Sequence, residues 1–367
     1  VNETDVFIIG GGPAGLAAAI AARQRGFEVM LADGSRPPID KPCGEGLMPD
    51  GLSALAKLGI AVPRERSRPF RGIRFSSGGL RVDASFPHDS GVGVRRTVLH
   101  GLMVERAQAL GIRTLWQAPV TGLHPDGVWL EDRLVRSRWV VGADGGQSLV
   151  RRWAGLERFR TNRTRFAFRR HYRVTPWSDC MEIHWGFKCQ IYVTPVASEE
   201  ICVALVSHDP RLRLEAALKA FPEIASRLRG SEQTSAERGA TSSMRRLDRV
   251  YRGRVALVGD ASGGVDCISG EGLCLAFRQA DLLTECFAEG SLRTYQKQHS
   301  ELWRRPAMMA TLMLALDWNV GLRQRVMRAL GSNPQIFRRM LAMHVGELSP
   351  AVFAANGLSL GWQLLRA

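Results

Sequence analysis

The sequence predicts an α/β protein. A Rossmann-type nucleotide-binding domain is interrupted by an antiparallel-sheet domain and followed by a helical C-terminal region. Three observations carry this reading. A βαβ unit with a glycine-rich turn opens the chain, apolar and polar residues alternate over 158–209, and a Met- and Leu-rich stretch of helical period follows Gly290. With 367 residues, 45% of them hydrophobic, the chain has room for two domains or for one with a large insertion.

The first unit begins with Asp5–Ile9, an apolar run rich in β-branched residues that reads as a buried parallel strand. It leads into Gly10-Gly11-Gly12-Pro13-Ala14-Gly15, then a helical stretch, then a second strand ending at Asp33. Each part has a physical task. Gly10 permits the tight turn, Gly12 lets backbone approach a pyrophosphate, and Gly15 lets helix and strand pack closely, with Pro13 and Ala14 opening the helix whose N-terminus receives the pyrophosphate. An acid at Asp33 accepts hydrogen bonds from ribose hydroxyls and repels a 2′-phosphate, which excludes NADP as the resident nucleotide. This unit alone does not separate FAD from NAD.

A second motif starts at Arg254: the strand VALV ends at Gly259-Asp260, and a glycine-rich turn leads to a helix starting near Gly270–Gly272. A third is Val141-Gly-Ala-Asp144-Gly145, continuing to Ser148 and Arg151. These resemble the fingerprints of the flavoprotein superfamily that holds para-hydroxybenzoate hydroxylase, flavin-dependent halogenases and geranylgeranyl reductases. The resemblance implies FAD in a glutathione reductase-like domain, with Asp260 on the ribityl chain and the amides of Gly272 and Leu273 facing the flavin pyrimidine ring. Helix-terminal amides also suit the negative charge of a reduced flavin. The resemblance further implies Arg96, at the start of an RxxL helix, on the FAD phosphates, and backbone at Val120 beside the adenine. The resemblance also places Gly259 and Asp144 at the cofactor, the other reading of Asp144 being that it fixes a turn by an Asx-type bond.

The segment Lys41-Pro42-Cys43-Gly44-Glu45-Gly46 resembles the KxCGxG stretch of the geranylgeranyl reductase branch, where Cys43, Gly44 and Gly46 would pass beside the isoalloxazine. Cys267 stands where relatives usually carry Pro. Cys43 and Cys267 are the candidate catalytic residues, and proximity to a helix N-terminus favours a lowered thiol pKa at Cys267. The substrate side departs from the family: where reductases carry YxWxFP and halogenases WxWxIP, this chain has Gln190-Ile-Tyr192-Val-Thr194-Pro195. Gln190, Tyr192, Thr194 and Trp185 are the candidate substrate-pocket residues. The expected reaction is hydroxylation of an aromatic or lipophilic small molecule. The alternatives are C=C reduction of a polyprenyl or other unsaturated lipid and, with its motif absent, halogenation. NAD(P)H or a separate flavin or electron donor would supply electrons.

The expected FAD domain comprises 1–61, 91–157 and 245–290, the sheet domain 62–90 and 158–244, and the helical region 291–367. Within the sheet domain one face is expected to be covered, and Leu212–Arg229 reads as one helix. In the last region Met at helical spacing reads first as core. The other reading is a lid for a lipophilic substrate, with Arg323, Arg325, Arg328, Arg338 and Arg339 facing anionic lipid. The formal charge of +15 has no recognition-helix or zinc pattern beside it, so nucleic acid is not an expected partner, while peripheral contact with an anionic membrane is. Seven dispersed Cys without a CxxC pair argue against a disulfide framework or a metal site, and with no signal-peptide pattern the expected location is the cytoplasm.

Overall fold

A computed structural model describes residues 3–161 and 164–348. Its first sheet has five parallel strands in the order Arg113–Trp116, Val29–Asp33, Glu3–Ile9, Arg133–Gly142, Val255–Leu257, with Tyr251–Arg252 antiparallel at one end. The hairpin Val120–His124 and Gly127–Leu130 extends from Arg133–Gly142. Val6, Phe7, Ile8, Leu31, Val140 and Val141 are almost wholly buried, as continuous apolar strands covered on both faces require. The helices Pro13–Gln24 and Gly272–Ala288 pack together against this sheet, so both motif helices point their N-termini from one side.

The second sheet follows the order Glu232–Gln233, Arg165–Arg173, Glu200–Ser207, Cys189–Ala197, Cys180–Trp185, Gly72–Ser77, Leu80–Ser85, with Arg238–Ser242 also on Arg165–Arg173. The structure makes three corrections here. Gly72–Ser77 joins Cys180–Trp185 in parallel, so the sheet is mixed. Both faces are covered: Ile191, Val193, Ile201, Val203 and Leu205 pack under Leu214, Phe221 and Ile224, while Ile183, Trp185, Ala204 and Val206 share the opposite core with Met313, Met327, Leu330 and Phe337. The region 212–229 forms two short helices, Leu214–Leu218 and Pro222–Arg227, because Pro222 has no N–H to continue the first and is suited to begin the second.

The C-terminal region is three helices, Arg293–Trp318, Val320–Ser332 and Pro334–His344, separated at Asn319 and Asn333. Their buried Met residues are core. Arg323 is buried too, its Nε donating to Ser77 Oγ at 3.0 Å and its guanidinium lying over Trp185, which corrects its assignment to a lipid-facing surface; Arg325, Arg328, Arg338 and Arg339 are exposed. Among the described residues no helix is long and apolar enough to cross a membrane, and all seven Cys are free.

One buried acid on the second sheet sets a pH dependence. Glu182 accepts from His184 Nε2 at 2.9 Å, Trp177 Nε1 at 3.1 Å and Arg74 Nη1 at 3.2 Å. Burial pushes its carboxyl up, but these partners outweigh burial and hold it at about 2, below its ordinary 4.5. A depressed acid stabilises the fold above its unfolded pKa, and that contribution, about 3 kcal/mol, is lost as pH falls from 4.5 toward 2. Urea denaturation across this window is expected to show a steeper acid loss for the parent than for Glu182→Gln; parallel curves would contradict the assignment.

Candidate active site

A cavity of about 580 Å3 opens between the two sheets. Its floor is the first βαβ unit. Gly10 has φ +112°, and a side chain there would strike the Ala143 carbonyl. Gly15 faces away from the cavity: a Cβ would lie 1.8 Å from the Gly10 oxygen, so this glycine serves the close packing of helix on strand. At Gly12 a Cβ would meet nothing within 4 Å, because the position faces the cavity. Asp33 Oδ2 accepts from Gly11 N at 2.6 Å and its Oδ1 accepts from Ser35 N at 2.7 Å, so the acid fixes the glycine turn while lining the cavity. Behind the turn, burial lowers the pKa of His100, and the neutral ring donates from Nε2 to the Gly11 carbonyl at 2.9 Å.

Pro13, Ala14, Gly44, Gly46, Arg96, Val120, Asp144, Gly259, Asp260, Gly272 and Leu273 also line the cavity, as do Cys43, Cys267 and Tyr192. Gly259 has φ +60°, which lets the chain turn at the strand end against Ala14. Asp144 Oδ2 accepts from Leu149 N at 2.7 Å and Val150 N at 3.1 Å, capping the short helix Leu149–Trp153. Desolvation pushes the Asp260 carboxyl up. Lys41, whose Nζ lies 2.6 Å from Oδ2, together with Arg96 and Arg245, outweighs that and holds it below the usual carboxylate range.

Three candidate pocket residues lie elsewhere. Gln190 is fully buried, its Oε1 accepting from Arg165 Nη2 at 3.0 Å and Tyr192 OH at 2.9 Å. Thr194 is also fully buried, and Trp185 packs edge-on against Phe75 in the core under the C-terminal helices. The aliphatic wall is instead Ala167, Met181, Ala204 and Val206, carried on three strands of the sheet domain.

The expected low thiol pKa at Cys267 is corrected. Burial, then the charge of neighbouring Asp266, pushes this thiol up to about 12 against the opposing effects of Arg165 and Ser242. Asp266 already caps the local turn by accepting from Ile268 N at 3.0 Å, so a negative charge occupies the place a thiolate would need. Residues the sequence reading gave no role also converge here: Lys41, Glu45 and Arg169 at the wall and His171 behind it. Arg165, Arg169 and His171 stand at even spacing on one buried strand, a signal that three polar side chains share an interior face.

The residues fit a flavin dinucleotide. The helices Pro13–Gln24 and Gly272–Ala288 both begin at the cavity without a side-chain cap, Gly12 and Gly272 leave open space where a side chain would project, and the buried Nε of Arg96 has no hydrogen-bond partner among the described residues. Two uncapped helix starts at one cavity are seats for a pyrophosphate and for the electron-rich ring edge of a reduced flavin. Fold and site together define an FAD-dependent oxidoreductase. The chain belongs to the FAD binding domain family, whose model matches residues 3–291.

The chain is 34% identical over 168 residues to a menaquinone reductase of Mycobacterium tuberculosis, a match covering 41% of each chain, so it spans well under half the length of that relative. It is 26% identical over 336 residues to a chloroplastic geranylgeranyl diphosphate reductase of Oryza sativa subsp. japonica, covering 82% of this chain and 70% of the relative. A flavoprotein/dehydrogenase from Cytophaga hutchinsonii shares the fold at a TM-score of 0.79 and 20% identity, covering 94% of this chain and 93% of that one.

Proposed function

We propose that this flavoenzyme reduces carbon–carbon double bonds of a polyprenyl or other unsaturated lipid. The observation that carries the reading is the similarity to reductases of prenyl-bearing molecules, with alignment to one of them over 82% of the chain. The aliphatic cavity wall of Ala167, Met181, Ala204 and Val206 supports it, since such a wall suits a hydrocarbon chain. The sequence expectation leaned toward hydroxylation because the aromatic motif of the reductase branch is missing. That motif maps to Gln190, Tyr192 and Thr194, and two of these three lie inside the sheet, so its loss bears little on the wall itself.

Reduced FAD, when bound, supplies a hydride. Gly10–Gly15, Asp33 and Arg96 would hold the dinucleotide half, and Asp260, Gly272 and Leu273 the ribityl and ring half. The aliphatic wall would lay the alkene beside the ring and exclude water. Cys43, at the wall in contact with the Glu45 amide at 3.4 Å, would line the reacting edge, and Cys267 would pack there as a neutral thiol. NAD(P)H or a separate flavin or electron donor would reload the cofactor. A lipid substrate would be met at a membrane face, and the charge of +15 suits anionic headgroups.

The test is anaerobic incubation of the reduced holoprotein with a geranylgeranyl lipid, followed by mass spectrometry. The expected product gains two hydrogens per turnover. A product that gains oxygen under air, with no saturated product without air, would overturn the reading in favour of hydroxylation.

A further inference from the structure

Behind the Lys41–Gly46 wall runs a buried polar line. Glu45 lines the cavity and is only 3% exposed, with its backbone at φ 60°, a left-handed conformation that costs a non-glycine residue energy. Its carboxylate is fixed on both oxygens. Oε1 accepts from Arg96 N at 2.9 Å, and Oε2 lies 2.6 Å from His171 Nε2. On the other side of the buried imidazole, Nδ1 is 2.8 Å from Ser235 Oγ and 3.2 Å from Arg169 Nη1. Ser235 is half-buried, in the turn after the edge strand Glu232–Gln233.

The tautomer follows from Arg169. A guanidinium only donates, so His171 Nδ1 is the acceptor and the ring proton sits on Nε2, aimed at Glu45. The Ser235 hydroxyl then donates to Nδ1. Every hydrogen bond in the chain Ser235, His171, Glu45 therefore points from the surface to the cavity. The other groups facing His171 hold this arrangement. Arg169 is paired with Asp40, Asp40 with Arg238 Nε at 2.8 Å, and the Cys202 thiol is kept protonated by burial, then by the charge of Glu45.

We propose that Ser235, His171 and Glu45 form the line that carries protons from solvent to the reaction cavity. The proposal rests on the reductase reading for its use. Saturating C=C forms one C–H bond with the hydride of the reduced flavin, which brings both electrons, and a second C–H bond with a proton. The flavin is oxidised, the alkene reduced, and the proton passes inward: the Glu45 carboxylate takes the Nε2 proton and hands it into the cavity, Nδ1 takes the Ser235 proton, Ser235 is refilled from water, and the ring proton returns from Nδ1 to Nε2 before the next turnover. Glu45 is the terminal group, and His171 and Ser235 act through it.

The experiment needs no lipid. The FAD-loaded protein in weak buffer is photoreduced by a light pulse without air, with a deazaflavin sensitiser and oxalate as the electron donor, and a pH indicator follows proton uptake beside the flavin absorbance. In the parent, uptake should keep pace with reduction. His171→Gln keeps partners for Ser235 and Glu45 but cannot relay, and uptake is expected to lag by about 100-fold, as for loss of one proton-transfer group; added imidazole should shorten the lag. Ser235→Ala, at the sheet edge, preserves the interior and serves as a second variant with the same direction of effect. Uptake in both variants that keeps pace with the parent, or a lag that imidazole leaves unchanged, overturns the proposal. A lag without any lipid saturation in the product assay would leave the relay standing and the reductase reading fallen.

Discussion

Gly12→Asp is expected to leave the protein folded and to abolish FAD retention. A Cβ at this position meets nothing within 4 Å, so the substitution breaks no packing. It places a carboxylate at an uncapped helix start, in the seat where a pyrophosphate would sit. The new acid can cap the free amides itself and repels the phosphates, so FAD affinity should fall by at least about 100-fold, equivalent to roughly 3 kcal/mol. Gly15→Ala has the opposite signature. Its Cβ would lie 1.8 Å from the Gly10 oxygen, so the apoprotein itself should lose stability. Isothermal titration of apoprotein with FAD, beside urea denaturation of the apoproteins, separates the two. A Gly12→Asp protein that binds FAD like the parent would contradict the cradle.

Arg165→Ala is expected to destabilise the fold by about 3–5 kcal/mol, the range for removing one partner of a buried ion pair. Arg165 is 1% exposed, with Nη1 2.9 Å from the fully buried Asp266, Nη2 3.0 Å from Gln190 Oε1, and Asp317 at 3.8 Å. The alanine would strip Asp266 of its ion-pair partner and leave Asp317 with His208 alone, on segments the arginine joins, the turn before the second motif helix and the end of Arg293–Trp318. Because that turn also carries Cys267 and Gly270 at the cavity, FAD retention should fall along with stability. Arg165→Lys should recover only part of the loss, since an ammonium cannot span the forked contacts. Denaturation curves for both variants that overlay the parent would show that Arg165 does not tie these elements together.

The glycine-rich turn was legible because each position answers a separate physical demand: a positive φ at Gly10, an open approach at Gly12, a tight crossing at Gly15. The same holds for the second motif, where Gly259 turns the strand end. Long-range pairing was not legible. The parallel join of Gly72–Ser77 to Cys180–Trp185 spans about a hundred residues and leaves no local pattern. The pocket wall was hard to read for a related reason. Gln190, Tyr192 and Thr194 share one face by period, but only Tyr192 stands where the sheet meets the cavity. Cys267 was misjudged because its helix-start position was weighed without the adjacent Asp266, whose carboxylate takes the amide first. Glu45 was in view within the Lys41–Gly46 motif, but its partner His171 arrives from a strand 126 positions away.

In the proposed reaction, one cavity brings reduced FAD and a prenyl chain together for hydride transfer. Anaerobic, reduced holoprotein is mixed with a geranylgeranyl lipid in detergent, and the oxidised-flavin absorbance is followed. The yellow colour is expected to return without oxygen, at a rate that rises with lipid concentration and is lost when a fully saturated analogue replaces it. A flavin that stays bleached until air is admitted, whatever lipid is present, would contradict it.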